Sequence, residues 1–192
     1  MNLMVDIETL GTDYNGVITQ IGACYFDWSG IIGETFLQNI QIQSCLDEGL
    51  TTDAGAIKFW LEQTAKNGVP DWLTGALPLK AVINDFCRFN RKAETIWSHG
   101  FDQTILQAVG RKCGIMRLMP YRNLRDIRTL VSLSGVNVKK QELVAKKTHN
   151  GLDDCIYQVE YCVKCYKALG ERHAQADTKA QEGIEAVADQ EG

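Results

Sequence analysis

No run of apolar residues in this 192-residue chain approaches the ~18 that a membrane span needs, so a membrane protein is not expected. A secretory leader is not expected either, because Asp6 and Glu8 interrupt the start of the chain. Also missing are the GxxxxGK[ST] loop, GxGxxG, HExxH and GxSxG. Without them, ATPase, dinucleotide oxidoreductase, zinc protease and serine hydrolase readings lose their usual support. The seven cysteines are odd in number and irregular in spacing, which argues against a disulfide framework and for a reducing cytoplasm. Cys162 and Cys165 form a CxxC without a second ligand pair, so they are expected as small apolar fillers of a helix rather than zinc ligands. There is no internal repeat and no linker before residue 170. What is present is 45% hydrophobic and 23% charged, the proportions of one globular domain.

Charge is distributed unevenly. Residues 1–110 carry six Lys/Arg against thirteen Asp/Glu, whereas 111–147 carry ten against two. The tail, 171–192, has two against six and no aromatic residue, so it is read as frayed or disordered and the domain as 1–170. A basic stretch beside acidic flanks is compatible with a polyanion track next to a carboxylate cluster, and equally with a solvated surface.

Strands come first. Leu3-Met4-Val5 leads into an acidic pair, Val17–Phe26 is apolar on both alternating faces like a central strand, and Ile31–Ile40 follows a Trp28-Ser29-Gly30 turn. Helices then intervene. Thr51-Thr52-Asp53 caps one that carries Phe59 and Trp60, residues 78–91 form another, and Phe101–Gly114 a third after the short strand Thr95-Ile96-Trp97. Asp126–Ser134 is a further short helix. The long helix after Gly151 spaces Leu152, Ile156, Val159, Val163 and Tyr166 as a buried stripe. Phe59, Trp60 and Trp97 are expected in the core. The order indicates a mixed α/β sheet with helices packed on it.

Asp6 and Glu8 stand two apart on a strand and so share a face, while Val5 and Ile7 point away. Two carboxylates held together repel unless a cation joins them, which makes the pair a natural Mg²⁺ or Mn²⁺ site. With one acid per eight residues, about three such pairs arise by chance, so the pair proves nothing alone. Its company raises it. Phe101-Asp102 lies at a strand–helix junction, and His149-Asn150-Gly151-Leu152-Asp153-Asp154 opens the long helix.

Together D-x-E-T-x-G at 6–11, F-D at 101–102 and H-x-[AG]-x-x-D at 149–154 resemble, in order and spacing, the three motifs of the DEDDh branch of DnaQ-like 3′–5′ exonucleases. The resemblance covers roughly residues 3–169. Phe59-Trp60-Leu61-Glu62-Gln63 and Asp126-Ile127-Arg128-Thr129-Leu130 look like the exoribonuclease-like and exonuclease VIII-like proteins of bacteria and phages. The fold so implied is RNase H-like: a mixed five-stranded sheet with helices on both faces.

The resemblance implies a site of Asp6, Glu8, Asp102 and Asp154 holding two divalent cations, Mg²⁺ or Mn²⁺, with His149 as general base. Asp6 would bridge the ions, Glu8 and Asp154 complete the first, and Asp102 hold the second. Asp153 would serve only in a capping box with Asn150. Thr9, Leu10 and Phe101 are expected beside the terminal nucleotide, and Lys139, Lys140, Lys146 and Lys147 beside phosphates. The family's mid-chain Asn has no counterpart in Ser98-His99-Gly100, and His99 is expected to be peripheral.

The reading is therefore a metal-dependent 3′–5′ exonuclease. Its substrate would be RNA or DNA with a free 3′ end, and its products nucleoside 5′-monophosphates. A binding protein with a retired site would be expected to lose ligands, and all five are present. Endonucleases of this fold usually carry another acid pattern. Related branches commonly dimerise, so a homodimer is entertained although no residue demands one. A bacterial or phage cytoplasm is the expected location.

Overall fold

The computed structural model describes residues 1–140, 143 and 148–188, with side chains as far as residue 172. Three strands open the chain: β1 (Asn2–Thr9), β2 (Ile18–Phe26) and β3 (Ile32–Asn39). Helices α1 (Ile42–Asp47), α2 (Ala54–Asn67) and α3 (Leu79–Phe89) follow. The chain then returns to the sheet as β4 (Thr95–Ser98), α4 (Gly100–Lys112), β5 (Leu124–Asp126), α5 (Ile127–Ser134) and α6 (Gly151–Ala188). The sheet order is β3-β2-β1-β4-β5, antiparallel among the first three and parallel from β1 onward. This is the expected mixed five-stranded α/β architecture. Among the described residues no helix is long and apolar enough to cross a membrane.

Strand alternation on β1 decides the layout. Leu3, Val5 and Ile7 enter one core with Val82, Ile83 and Phe86 of α3 and Ile105, Leu106 and Val109 of α4. Met4 enters the other core, beneath Ile127 and Leu130 of α5 and Cys155, Val159 and Cys162 of α6. Asp6 and Glu8 continue the Met4 face, so they lie under α6. Helices cover both faces, and the acids sit where the second core gives way to solvent.

A close backbone approach fixes α6 over that spot. Gly22 on β2 pairs with Asp6, and a methyl group built on Gly22 would overlap the Gly151 backbone at the start of α6. The side chain of Gln20, two residues away, accepts the Gly151 N–H at 2.7 Å. Because backbone cannot move aside as a side chain does, Gly22→Ala should destabilise the fold by about 1–3 kcal/mol. Its melting temperature should fall by about 4–10 °C. An unchanged melting curve would contradict this account of how α6 is seated.

Four features depart from the sequence reading. The buried side of α6 is Asp154, Cys155, Gln158, Val159, Tyr161, Cys162, Val163 and Cys165; of the predicted stripe Val159 and Val163 are buried, while Tyr166 is 46% exposed. The aliphatic stripe was read about a quarter-turn off, because at so close an approach small cysteines fill the interface better than large aliphatics. Phe59 is exposed at 39% rather than core, whereas Trp60 is buried. Helix α1 and strand β5, each six residues or fewer, had no sequence signal. Finally, the backbone of 171–188, expected as frayed or disordered, continues α6. That segment has no proline and is rich in Ala, Glu and Gln, all good helix formers.

Candidate active site

Three elements bring titratable side chains together at the C-terminal end of β1. Asp6 and Glu8 come from β1, His99 and Asp102 from the β4–α4 junction, and His149 and Asp154 from the start of α6. They form two adjacent triads, Asp6–His99–Asp102 and Glu8–His149–Asp154. Within each triad one ligand atom per residue lies within 4.8 Å of the others. All four carboxylates are buried, with Asp154 at 2% and Asp102 at 5% exposure.

Each acid is oriented by a different local device. A register shift in the β1–β2 pairing falls between Glu8 and Thr9, so the strand bends just past the acidic pair. Gln158, one helical turn beyond Asp154, donates its amide to Asp6 Oδ1 at 2.6 Å. Helix α6 thereby fixes Asp6 as well as supplying Asp154. The Thr148 N–H donates to Asp154 Oδ1 at 2.8 Å. On α4, the Asp102 N–H donates to the His99 carbonyl at 3.0 Å and tightens the turn that presents both side chains.

His149 has a left-handed backbone, φ 59°, the one positive φ outside glycine among the described residues. Such a conformation costs on the order of 1–3 kcal/mol and is held by its surroundings. Here those are Phe59 and Trp60 of α2, whose rings lie 5.2 Å and 6.0 Å from the imidazole in edge-on geometry. The Trp60 indole N–H donates to the Thr9 carbonyl at 2.9 Å, tying this shelf to β1. Asn150 caps α6 by accepting from the Leu152 and Asp153 N–H groups. Asp153 does not return the expected capping-box bond. Its carboxylate accepts instead from the Thr148 hydroxyl at 3.0 Å.

On the other side, Asp126 and Arg128 pack against Gly100, where a side chain would collide with both. The Arg128 side chain bonds the Asp126 carboxylate and holds its pKa below the usual range, and the Arg128 charge is in turn strengthened by Asp126 and then Asp102. The Tyr161 hydroxyl lies 3.5 Å from His99 Nε2, and burial pushes that phenol's pKa up, keeping it neutral.

Thus the five residues named from the motifs meet in one place. The flanking positions are more scattered. The Thr9 backbone is engaged by Trp60, the Leu10 side chain packs partly on the core, and Phe101 is exposed at 38% on the first turn of α4. Lys139 and Lys140 lie exposed on a short turn of 3₁₀ helix, and Lys146 and Lys147 fall outside the described residues. Two site residues escaped the sequence reading. His99 was expected to be peripheral, yet it shares a triad with Asp6 and Asp102; its place three residues before Asp102, at a strand–helix junction, was the available signal. Gln158 could have been found four residues after Asp154, on the same helix face.

A five-stranded mixed sheet with carboxylates gathered from β1, α4 and α6 defines the class: an α/β domain with an acidic site at the C-terminal end of its first strand. The E. coli ExoI–single-stranded DNA complex in its zinc-bound form shares this fold, with a TM-score of 0.56 at 12% sequence identity. The match covers 89% of this chain and 40% of ExoI, so the present chain spans less than half of that protein. No curated protein matches it in sequence. The model of the 3′–5′ exoribonuclease Rv2179c-like domain matches residues 1–166, and the chain belongs to that family. It is a 3′–5′ exonuclease domain acting on nucleic acid.

Proposed function

We propose that this domain removes nucleotides one at a time from the free 3′ end of single-stranded RNA, or of a 3′ overhang, releasing nucleoside 5′-monophosphates. The observation that carries this reading is the pair of adjacent triads drawn from three separate elements. RNA is put before DNA on the family's description alone.

The donor set suits hard divalent ions. Four carboxylates and two imidazoles offer oxygen with some nitrogen, a combination that fits Mg²⁺ and Mn²⁺. Asp6, Glu8, Asp102 and Asp154 would hold two such cations, with His99 adding a nitrogen on the Asp102 side. When bound, the cations supply charge neutralisation for the phosphate, acidification of a water and stabilisation of the departing oxygen.

The chain's own groups do the rest. An imidazole nitrogen of His149 takes a proton from the water as its oxygen bonds to phosphorus, and the P–O3′ bond breaks. The proton that the departing 3′ oxygen acquires comes from solvent. Gln158 keeps Asp6 from turning away, and the Thr148 N–H does the same for Asp154. The Phe59–Trp60 shelf holds the imidazole ring in place. Thr9, Leu10 and Phe101 contact the terminal nucleotide, and Lys139, Lys140, Lys146 and Lys147 add phosphate contacts.

Residues 1–170 form the exonuclease domain in this reading, with 171–192 outside it. The cysteines, free throughout, suit a reducing bacterial or phage-infected cytoplasm. The test is digestion of a 5′-labelled RNA oligomer with product analysis. Nucleoside 5′-monophosphates and a descending ladder, abolished by chelator and restored by Mg²⁺ or Mn²⁺, are expected. Cleavage that resists chelator, or nucleoside 3′-monophosphate products, would overturn the mechanism.

A further inference from the structure

A cleft of about 480 Å³ runs along α4, the helix whose first turn carries Asp102. One wall is a single face of α4, Gly100, Gln103, Thr104, Gln107, Ala108 and Arg111. It begins at Gly100, the first residue of the helix, and runs for about 16 Å at 1.5 Å per residue. Facing it are Tyr14, from the loop that follows the β1 acids, and Tyr121. Both rings stand out from the surface, Tyr14 at 60% and Tyr121 at 67% exposure.

The chemistry along this path is of one kind. Residues 103–125 contain five Arg and Lys and not one carboxylate. Arg111 makes no ion pair among the described residues. The Arg122 guanidinium lies over the Tyr121 ring, 5.6 Å from its centroid, and its Nε donates to the Tyr121 hydroxyl at 2.9 Å. Gln103 and Gln107 are spent on backbone carbonyls of Arg125 and Met119, so they brace the α4 wall. Exposed tyrosines beside unneutralised guanidiniums form a stacking platform for unpaired bases with charge for their phosphates.

We propose that this cleft binds the body of the substrate strand upstream of the scissile bond, with bases stacked on Tyr14 and Tyr121 and a phosphate held by Arg111. The proposal rests on the single-strand reading above and adds where the strand runs after it leaves the site. It gives the 111–125 part of the basic middle of the chain a role beside that of the lysines near residue 140. Every base has a π-face, so this grip is indifferent to sequence. A dinucleotide, which ends at the site, does not reach it.

The test compares a dinucleotide with a 5′-fluorescein single-stranded decanucleotide. Binding of the decanucleotide is read by anisotropy on an Asp6→Asn background, so it is measurable whether or not the wild type turns over. Tyr14→Leu and Tyr121→Leu should each weaken it about tenfold, and Tyr14→Phe and Tyr121→Phe should restore it, because the ring and not the hydroxyl does the stacking. Arg111→Ala should flatten the slope of log K against log salt by about 0.7. On the active enzyme the Leu variants should raise KM for the decanucleotide and leave kcat, and all dinucleotide kinetics, unchanged. Unaltered decanucleotide affinity in the Leu variants, or equal loss for both lengths, would overturn the proposal. Failure of the wild type to cleave either length, with anisotropy still sensitive to the tyrosines, would overturn the exonuclease chemistry and leave the cleft standing.

Discussion

Replacing Asp6 with Asn is expected to abolish turnover while leaving the fold intact. The amide keeps the size of the carboxylate, and its oxygen can still accept the Gln158 amide that Asp6 Oδ1 accepts at 2.6 Å. What it removes is the β1 charge of the Asp6–His99–Asp102 triad. Asp6, Glu8, Asp102 and Asp154 crowd four buried carboxylates into one site, and like charges so placed disfavour one another. In chelator the variant should therefore melt at or slightly above the wild-type temperature. Added Mn²⁺ should raise the melting temperature of the wild type, because a ligand that binds only the folded state stabilises it, and should move the variant little. A variant that melts earlier in chelator, or that gains as much from Mn²⁺ as the wild type, would mean that Asp6 is structural.

His149→Asn should lower kcat by about 10²–10⁴-fold, the usual share of general base catalysis, with KM nearly unchanged. Asparagine is the fitting replacement because it tolerates the left-handed backbone at φ 59° better than most residues. Loss of rate can then be assigned to the missing proton acceptor rather than to a displaced α6. Full turnover in this variant would move the base elsewhere, and His99 in the neighbouring triad would be the group to replace next.

The parts of this site legible in the sequence share a property: each is a short-range pattern whose geometry is local. Asp6 and Glu8 share a face because strands alternate, and Val5 and Ile7 are found in the opposite core. Asp53 caps α2 as its sequence position suggests, accepting the Ala56 N–H at 2.8 Å. What could not be read depends on how elements approach one another. Gly22 gives no sign in its own strand that it must admit the Gly151 backbone. The rotation of α6 follows from that approach, and with it the burial of Gln158 and the cysteines beside Val159 and Val163, while Tyr166 turns outward. Phe59 has the composition of a core residue, yet stands at the surface because His149 comes to it from the other end of the chain. Strand β5 is three residues long and is recognisable only by its parallel pairing with β4.

The central claim is that the site accepts a 3′ terminus and not the interior of a strand. The direct measurement is a comparison, in Mn²⁺, of a 5′-labelled linear RNA with a ligated circle of the same sequence. The linear strand should shorten from its 3′ end as a ladder, a 3′-phosphorylated copy should be degraded more slowly, and the circle should survive. Opening of the circle at a rate comparable to loss of the linear strand would contradict the account.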